Sequence, residues 1–340
     1  MIYRSKAPLR IGLAGGGTDV SPYSDLYGGA ILNATISLYA HASIEPLADN
    51  RILLEANDRG ESEQWELNGE LPVNGHLDLL KGVYNVIVKD HGPVKCGFRL
   101  STFVDAPAGS GLGTSSTLVV AIIGAFAEML RLPLGEYDIA HYAYEIERTY
   151  LRLAGGKQDQ YAATFGGVNF MEFYEGDKVI VNPLRVKQQY LFELENNLVL
   201  YYTSTSRESA KIIEQQSSNV VAKKEQSIDA MHQLKQQSQM MKEALLKGRL
   251  HEFGEILDYG YEQKRKMAEG ISNPLMEEIY ETAKSAGATG GKISGAGGGG
   301  FMIFYCPGTT KHKVIKSLER FGGHQKNYQF TEHGLKTWTI

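Results

Sequence analysis

Apolar and polar residues follow two different rhythms along this chain, and each half therefore predicts a different structure. In the first half, short apolar or β-branched runs at residues 9–13, 30–36, 41–46 and 52–56 are bounded by turn residues, the pattern of strands. Residues 77–91 carry apolar positions at helical spacing and predict an amphipathic helix, followed by a strand over 97–104. A long apolar helix is predicted over 114–131 and a second over 134–153, ending in the turn Gly155-Gly156. Residues 169–174 and 178–182 predict a hairpin closed by Glu175-Gly176-Asp177.

The second half is helical in rhythm. A buried strand over 198–203 and a polar turn over 204–208 precede a Gln-, Lys- and Met-rich stretch at 209–247, which predicts long helices with solvated faces. Helical spacing continues over 250–267 and 274–286. A strand at 301–305, a short helix at 311–321 and a strand-like tail complete the chain. The change of rhythm at 183–196 sets an expected division into residues 1–188 and 189–340, since 340 residues suit two domains sharing a cleft.

Composition narrows the function. A net charge of −4 with scattered basic residues argues against a nucleic-acid partner. No apolar run approaches the ~20 residues that span a bilayer, and the N-terminus lacks the apolar core of a signal peptide. The two cysteines, Cys96 and Cys306, form no CxxC pair, and the histidines fall at no metal-ligand spacing. The expectation is a cytoplasmic protein without membrane contact, whose oligomeric state is left open.

Chemistry concentrates in three glycine-rich segments. Residues 107–116 read PAGSGLGTSS, directly before the long apolar helix. Gly109, Gly111 and Gly113 let the backbone turn tightly around a ligand, while Thr114, Ser115 and Ser116 can donate to phosphate oxygens at a positive helix terminus. Residues 287–300 end in GAGGGG, a literal G-x-G-x-x-G that follows a helix and opens a strand, the wrong orientation for a dinucleotide fingerprint. Residues 7–19 run from Pro8 and Arg10 into Gly15-Gly16-Gly17-Thr18-Asp19, short groups suited to a polyol, with Asp19 also readable as a cap for the segment at Ser21-Pro22. Glu147 and Asp159 add two carboxylates either side of a glycine turn. On the residues alone Glu147 reads as a solvated helix residue and Asp159 as a helix cap. Lys6, Lys157 and Lys292 read as solvated, and Tyr142, Tyr144 and Tyr150 as packing residues.

Taken in order, the segments at 7–19, 107–115 and 292–300 resemble the three motifs of the GHMP kinase superfamily, over nearly the whole chain. Within it, the stretch RSKAPLRIGLAGGGTD at 4–19 most resembles the heptose 7-phosphate kinases. It lacks the Glu-His pair that precedes Thr-Asp in the galactokinase pattern, and Thr114 stands where the common loop has Ser. The resemblance implies an α+β fold of two domains, an N-terminal one like ribosomal protein S5 domain 2 and a ferredoxin-like C-terminal one. It implies ATP and magnesium as cofactors, and transfer to the anomeric hydroxyl of D-glycero-D-manno-heptose 7-phosphate, with fucose, a uronic acid or a non-catalytic sugar sensor as alternatives. Carried residue by residue, Pro107, Gly109, Ser110, Gly111, Leu112, Gly113, Thr114, Ser115 and Ser116 would cradle the triphosphate. Ser115 and Glu147 would hold magnesium. Asp159 would be the base, and Arg10 would stabilise the transferred phosphoryl group. Gly16, Gly17, Thr18, Asp19, Gly297, Gly298 and Arg207 would face the sugar, Arg207 holding its phosphate.

Overall fold

The structure, a computed structural model, describes residues 1–205 and 209–340, so Arg207 lies outside the described residues. Two β-sheets organise the chain. The first has eight strands in the order β12-β1-β2-β5-β3-β4, with β6 attached to β2 and β7 to β6. Its spine is β2 (Gly29–Pro46), which pairs with β1 (Tyr3–Ala14) along one edge. On the other edge β2 takes β6 (Val168–Phe173) along its first half and β5 (Phe98–Val104) along its second. Sequence pattern predicts two strands where β2 runs unbroken, because Ser37, Leu38 and Tyr39 continue its alternation of buried and half-buried positions. The chain also forms β3 (Arg51–Ala56), β4 (Glu61–Glu66) and β7 (Val179–Pro183). Strand β4 has no apolar run: its polar residues face water at the sheet edge, a pattern that resists edge pairing.

Helix α1 (Tyr23–Tyr27) is one short turn, and α2 (Asp78–His91) packs against α3 (Thr114–Leu130). Helix α3 is apolar nearly all round and buried through most of its length, lying on β1 and β2. The helix expected over 134–153 is α4 (Glu136–Glu145) followed by a π-helical turn, Ile146–Tyr150. An unexpected short helix, α5 (Gln158–Phe165), follows the glycine turn.

After α6 (Gln188–Asn197), the second sheet runs β11-β8-β10-β9, antiparallel throughout. Strand β8 (Leu198–Tyr202) shows how it is packed. Leu198 and Leu200 join the core shared with the first sheet, whereas Val199 and Tyr201 face an outer cluster built on Met276, Ile279, Val314 and Leu318. Helices α7 (Ser209–Val221) and α8 (Glu225–Lys247) are separated by a break at 222–224, and α8 lies against β1 and β2. Helices α9 (Phe253–Arg265), α10 (Pro274–Ser285) and α11 (Lys311–Leu318) complete the layer. We propose residues 188/189 as the division between domains, since β7 closes the first sheet and β8 opens the second. The tail then divides: β11 (His324–Gln325) pairs with β8, while β12 (Lys336–Thr339) returns to β1.

The third glycine segment follows α10, but its GAGGGG run at 295–300 does not follow that helix directly: β9 (Gly290–Ile293) intervenes, and the run is the loop of a hairpin between β9 and β10 (Phe301–Tyr305). Strand β9 is hard to see in sequence because it begins Gly290-Gly291: a Cβ at Gly290 would lie 1.8 Å from the Gly254 carbonyl oxygen, so bare backbone is what α9 can approach. The hairpin loop grips the loop at 107–113. The Phe301 amide donates to the Ser110 carbonyl at 2.9 Å, and the Ser294 hydroxyl donates to the Gly111 carbonyl at 2.8 Å. Gly300, at φ 84°, would place a Cβ 2.4 Å from the Ser110 carbonyl oxygen. Gly308, at φ 63°, has nothing within 4 Å of its Cβ position. Left-handed backbone costs an L-residue about 1–2 kcal/mol. Gly308→Ala is therefore expected to lose about that much in urea unfolding, and Gly300→Ala at least about 1 kcal/mol more from the added overlap. Equal losses would show that the two loops are not clasped.

Candidate active site

The loop before α3 is an anion cradle in its local geometry. Gly109, Gly111 and Gly113 all sit at positive φ (71°, 83° and 79°), which leaves the backbone close to any ligand above it. Gly113 caps α3 in left-handed conformation, and no side chain caps the helix, so the first-turn amides at 114–116 open on the cavity. Leu112 anchors the loop in the core, with its carbonyl accepting the Arg10 amide at 3.2 Å. Ser115 is exposed to the cavity while Thr114 and Ser116 are buried; Pro107 is exposed at the start of the loop. The buried Ser110 hydroxyl has no partner among the described residues.

Arg10 reaches this loop from an irregular stretch of β1, whose register against β2 shifts between Pro8 and Arg10 and again between Gly12 and Ala14. Such irregularities re-aim a side chain. Arg10 Nε and Nη2 each approach Asp159 Oδ1 at 2.7 Å, and Nη1 donates to the Gly111 carbonyl at 2.7 Å. Asp159 is therefore not the cap of α5: it lies inside the first turn with its side chain turned to Arg10. The cap comes from the first glycine segment, because Asp19 Oδ2 accepts the Lys157 and Gln158 amides at 2.9 and 3.1 Å. Asp19 does not cap the segment at Ser21-Pro22, where α1 has no side-chain cap. Burial raises the Asp19 carboxyl above its ordinary range; the Gln158 amide opposes this and the Asp159 charge adds to it.

Glu147 lies in the π-helical turn after α4 and continues the buried face of Ala140 and Ala143, which points it inward. Glu147 is 1% exposed and accepts from Gln160 Nε2 at 2.5 Å. The same amide nitrogen lies 3.1 Å from Ser116 Oγ, so Gln160 ties the carboxylate to the loop through Ser116 rather than Ser115. Arg148 Nη2 lies 3.8 Å from Glu147 and bonds the Gly156 carbonyl, bracing the glycine turn.

These groups line one cavity of about 300 Å³, which includes Arg10, Gly16, Gly17, Asp19, Gly109, Gly111, Gly113–Ser116, Glu147 and Asp159. Thr18 lines no part of it; its hydroxyl bonds the Gly15 and Ala30 carbonyls. Gly297 and Gly298 pack against Ile271 instead of the cavity, while their neighbours Gly295 and Ala296 line it. A second cavity of about 230 Å³ shares Thr114, Ser115 and Leu153 with the first and has Leu77, Leu80, Val104 and Leu118 in its wall.

Two expected surface lysines are buried. Lys157 is enclosed by Asp25 and Asp177, at 3.3 and 2.8 Å, beneath the ring of Tyr144. Lys292 lines the first cavity, donating to the Gly12 carbonyl at 2.6 Å. Lys264, also on the cavity, was not legible as a site residue. Its signal is its place on α9: it continues the buried stripe of Phe253, Leu257, Gly260 and Tyr261, where a solvated lysine has no reason to be. Burial pushes Lys264 down to about 8, and burial together with the charges of Lys264 and Arg10 pushes Lys292 well down.

Comparison with known proteins shows the family. Residues 78–167 match the GHMP kinases N terminal domain and residues 241–324 match the GHMP kinases C terminal domain. The chain is 48% identical over 337 residues to the D-glycero-alpha-D-manno-heptose 7-phosphate kinase of Campylobacter jejuni, with 99% of each covered. The chain belongs to the GHMP kinase family. This GHMP kinase also superposes on the crystal structure of a D-glycero-D-manno-heptose 1-phosphate kinase from Bacteroides thetaiotaomicron with a TM-score of 0.85, at 46% identity and 99% coverage of both. The L-fucokinase/L-fucose-1-P guanylyltransferase of Bacteroides fragilis is 28% identical over 87% of this chain and 34% of its own length. Among the described residues, no helix is long and apolar enough to cross a membrane.

The lysine shift has a consequence for stability. Lys264 releases its proton near 8 when folded and near 10.4 when unfolded. Between those values the unfolded chain binds more protons, so this group makes stability rise with pH. The wild type should gain more stability between pH 8 and pH 10 than Lys264→Met, read from urea midpoints. Equal gains would mean that Lys264 is not held in this buried state.

Proposed function

We propose that this kinase transfers the γ-phosphoryl group of ATP to the anomeric hydroxyl of D-glycero-D-manno-heptose 7-phosphate, forming the 1,7-bisphosphate. The observation that carries the chemistry is Asp159: Arg10 grips one carboxylate oxygen, and the residue faces the cavity beside the phosphate loop. The 48% identity to a heptose 7-phosphate kinase supports the acceptor. The fucokinase likeness makes fucose the next acceptor to examine. A sensor that binds without turnover has no need of both Asp159 and a buried Glu147, and this site retains both.

In this reading the amides at 114–116 and the hydroxyls of Thr114, Ser115 and Ser116 receive the triphosphate at the positive end of α3. The second cavity, next to Ser115, receives the nucleoside. Asp159 accepts the proton of the anomeric hydroxyl, which is more acidic than an ordinary alcohol and so suits a carboxylate base. Three of the five guanidinium donors of Arg10 are engaged by Asp159 and Gly111, which leaves others for the transferred group.

The residues present fit magnesium. Glu147 and the hydroxyls of Ser115 and Ser116 are hard oxygen donors, and the Gln160 amide fixes Glu147 beside Ser116. Among the described residues no group of three or more His, Cys, Asp or Glu could hold an ion, so Glu147 and the loop hydroxyls would hold magnesium together with phosphate oxygens and water. When bound, it neutralises charge on the phosphate oxygens.

Two measurements test the reading. ADP release should be strong with heptose 7-phosphate and weak with mannose 6-phosphate, fucose, glucuronate and galactose. Asp159→Asn should lower kcat by about 10²–10⁴-fold, the range for a removed base, with ATP affinity within about threefold of wild type. Near-normal turnover in Asp159→Asn would remove the residue from the chemistry.

A further inference from the structure

Lys264 and Lys292 are two charged groups of the cavity that the proposed reaction leaves unused. They reach the cavity from the second half of the chain, on α9 and β9, and are only 4% and 6% exposed. Lysines this buried are almost always ion-paired. Neither has a carboxylate within ion-pair distance among the described residues; each has a single carbonyl from the first glycine segment. Lys292 Nζ donates to Gly12 at 2.6 Å, and Lys264 Nζ reaches Gly16 at 3.4 Å. When protonated each carries three donors, so most of that capacity is unmet, and an anion in the cavity would favour the protonated form that burial disfavours. Asp19 acts on Lys264 through space, but its Oδ2 is already engaged by two α5 amides.

Bracing the first glycine segment does not account for the pair. A neutral amide could donate to a carbonyl without the desolvation of an ammonium. Here two lysines lie close enough to each other, and to Arg10, that their charges repel. A tetrahedral dianion would supply several acceptor oxygens and relieve the repulsion in one step.

We propose that Lys264 and Lys292 together form a receptor for one phosphate group, distinct from the cradle at 109–116. It rests on the kinase reading only for the source of that group, which is either the acceptor sugar's own phosphate or the phosphoryl group in transfer.

The test uses the full chain and the variants Lys264→Gln and Lys292→Gln, which remove the charge and keep a donor. Either substitution should lower kcat/KM for heptose 7-phosphate at least about tenfold, the scale of a charge-assisted bond, with partial rescue by Lys→Arg. A rise in KM, matched by weaker calorimetric binding of heptose 7-phosphate without nucleotide, assigns the site to the acceptor's phosphate. A fall in kcat with both ligand affinities held assigns it to the transferred group. Values within twofold of wild type on every count overturn the receptor. A purely structural role would lower the unfolding midpoint without either kinetic pattern, and that result also overturns it.

A second arm is independent of the acceptor. Millimolar inorganic phosphate, against chloride at equal ionic strength, should raise the unfolding midpoint of the wild type more than that of either variant. Equal shifts, as from phosphate held by the loop alone, overturn the receptor. If the wild type phosphorylates no sugar phosphate, the heptose reading fails and this arm still decides the receptor. Should a Gln variant fail to fold, the Lys→Met variant takes its place in both arms.

Discussion

Arg10 is the joint on which the site depends. Its guanidinium holds Asp159 and the Gly111 carbonyl, and its backbone amide holds the Leu112 carbonyl. One residue thus fixes the position of a carboxylate on α5 relative to the loop that precedes α3. The third glycine segment closes the same joint from the other side, through Ser294 on Gly111 and Phe301 on Ser110. Because both sheets meet there, the first and third glycine segments are structural partners of the loop as well as lining for the cavity. A site held this way is pre-organised, which is the condition for phosphoryl transfer by positioning and electrostatics.

The cavity's charges are arranged in unequal states of satisfaction. Asp159 is paired with Arg10, Glu147 with Gln160, and Asp19 with the amides that start α5. The lysines opposite are left with carbonyls. A folded protein tolerates such a deficit at a binding site, where a ligand supplies the missing acceptors, and local consistency is relaxed at functional places for that reason. The electrostatics therefore favour anionic ligands even though the chain as a whole carries a net charge of −4.

Much of this was legible in the residues. Gly109, Gly111 and Gly113 followed by hydroxyls and an apolar run led directly to the loop and α3, since all the determinants lie within one continuous stretch. The rest depended on contacts between distant segments. Asp19 gives no sign that it caps a helix more than a hundred residues away. Glu147 reads as solvated from its charge, although its spacing continues the buried face of Ala140 and Ala143. Strand β9 is masked by its glycines; the strand-like tail was legible, but not that β12 pairs with β1 at the opposite end of the chain. Thr18, Gly297 and Gly298 belong to the expected motifs, yet they support the cavity from behind. Lys264 is the instructive case, because its helical phase carried the signal while its charge argued against burial.

The central claim is that Arg10 and Asp159 act as one unit in the chemical step. The most direct measurement is a double-mutant cycle on kcat/KM with Arg10→Met, Asp159→Asn and the double variant. If the pair is a unit, the double variant should be about as slow as Asp159→Asn alone, so that the second substitution adds little. If the two losses multiply, Arg10 and Asp159 contribute independently, and the account of the site built on their pairing is wrong.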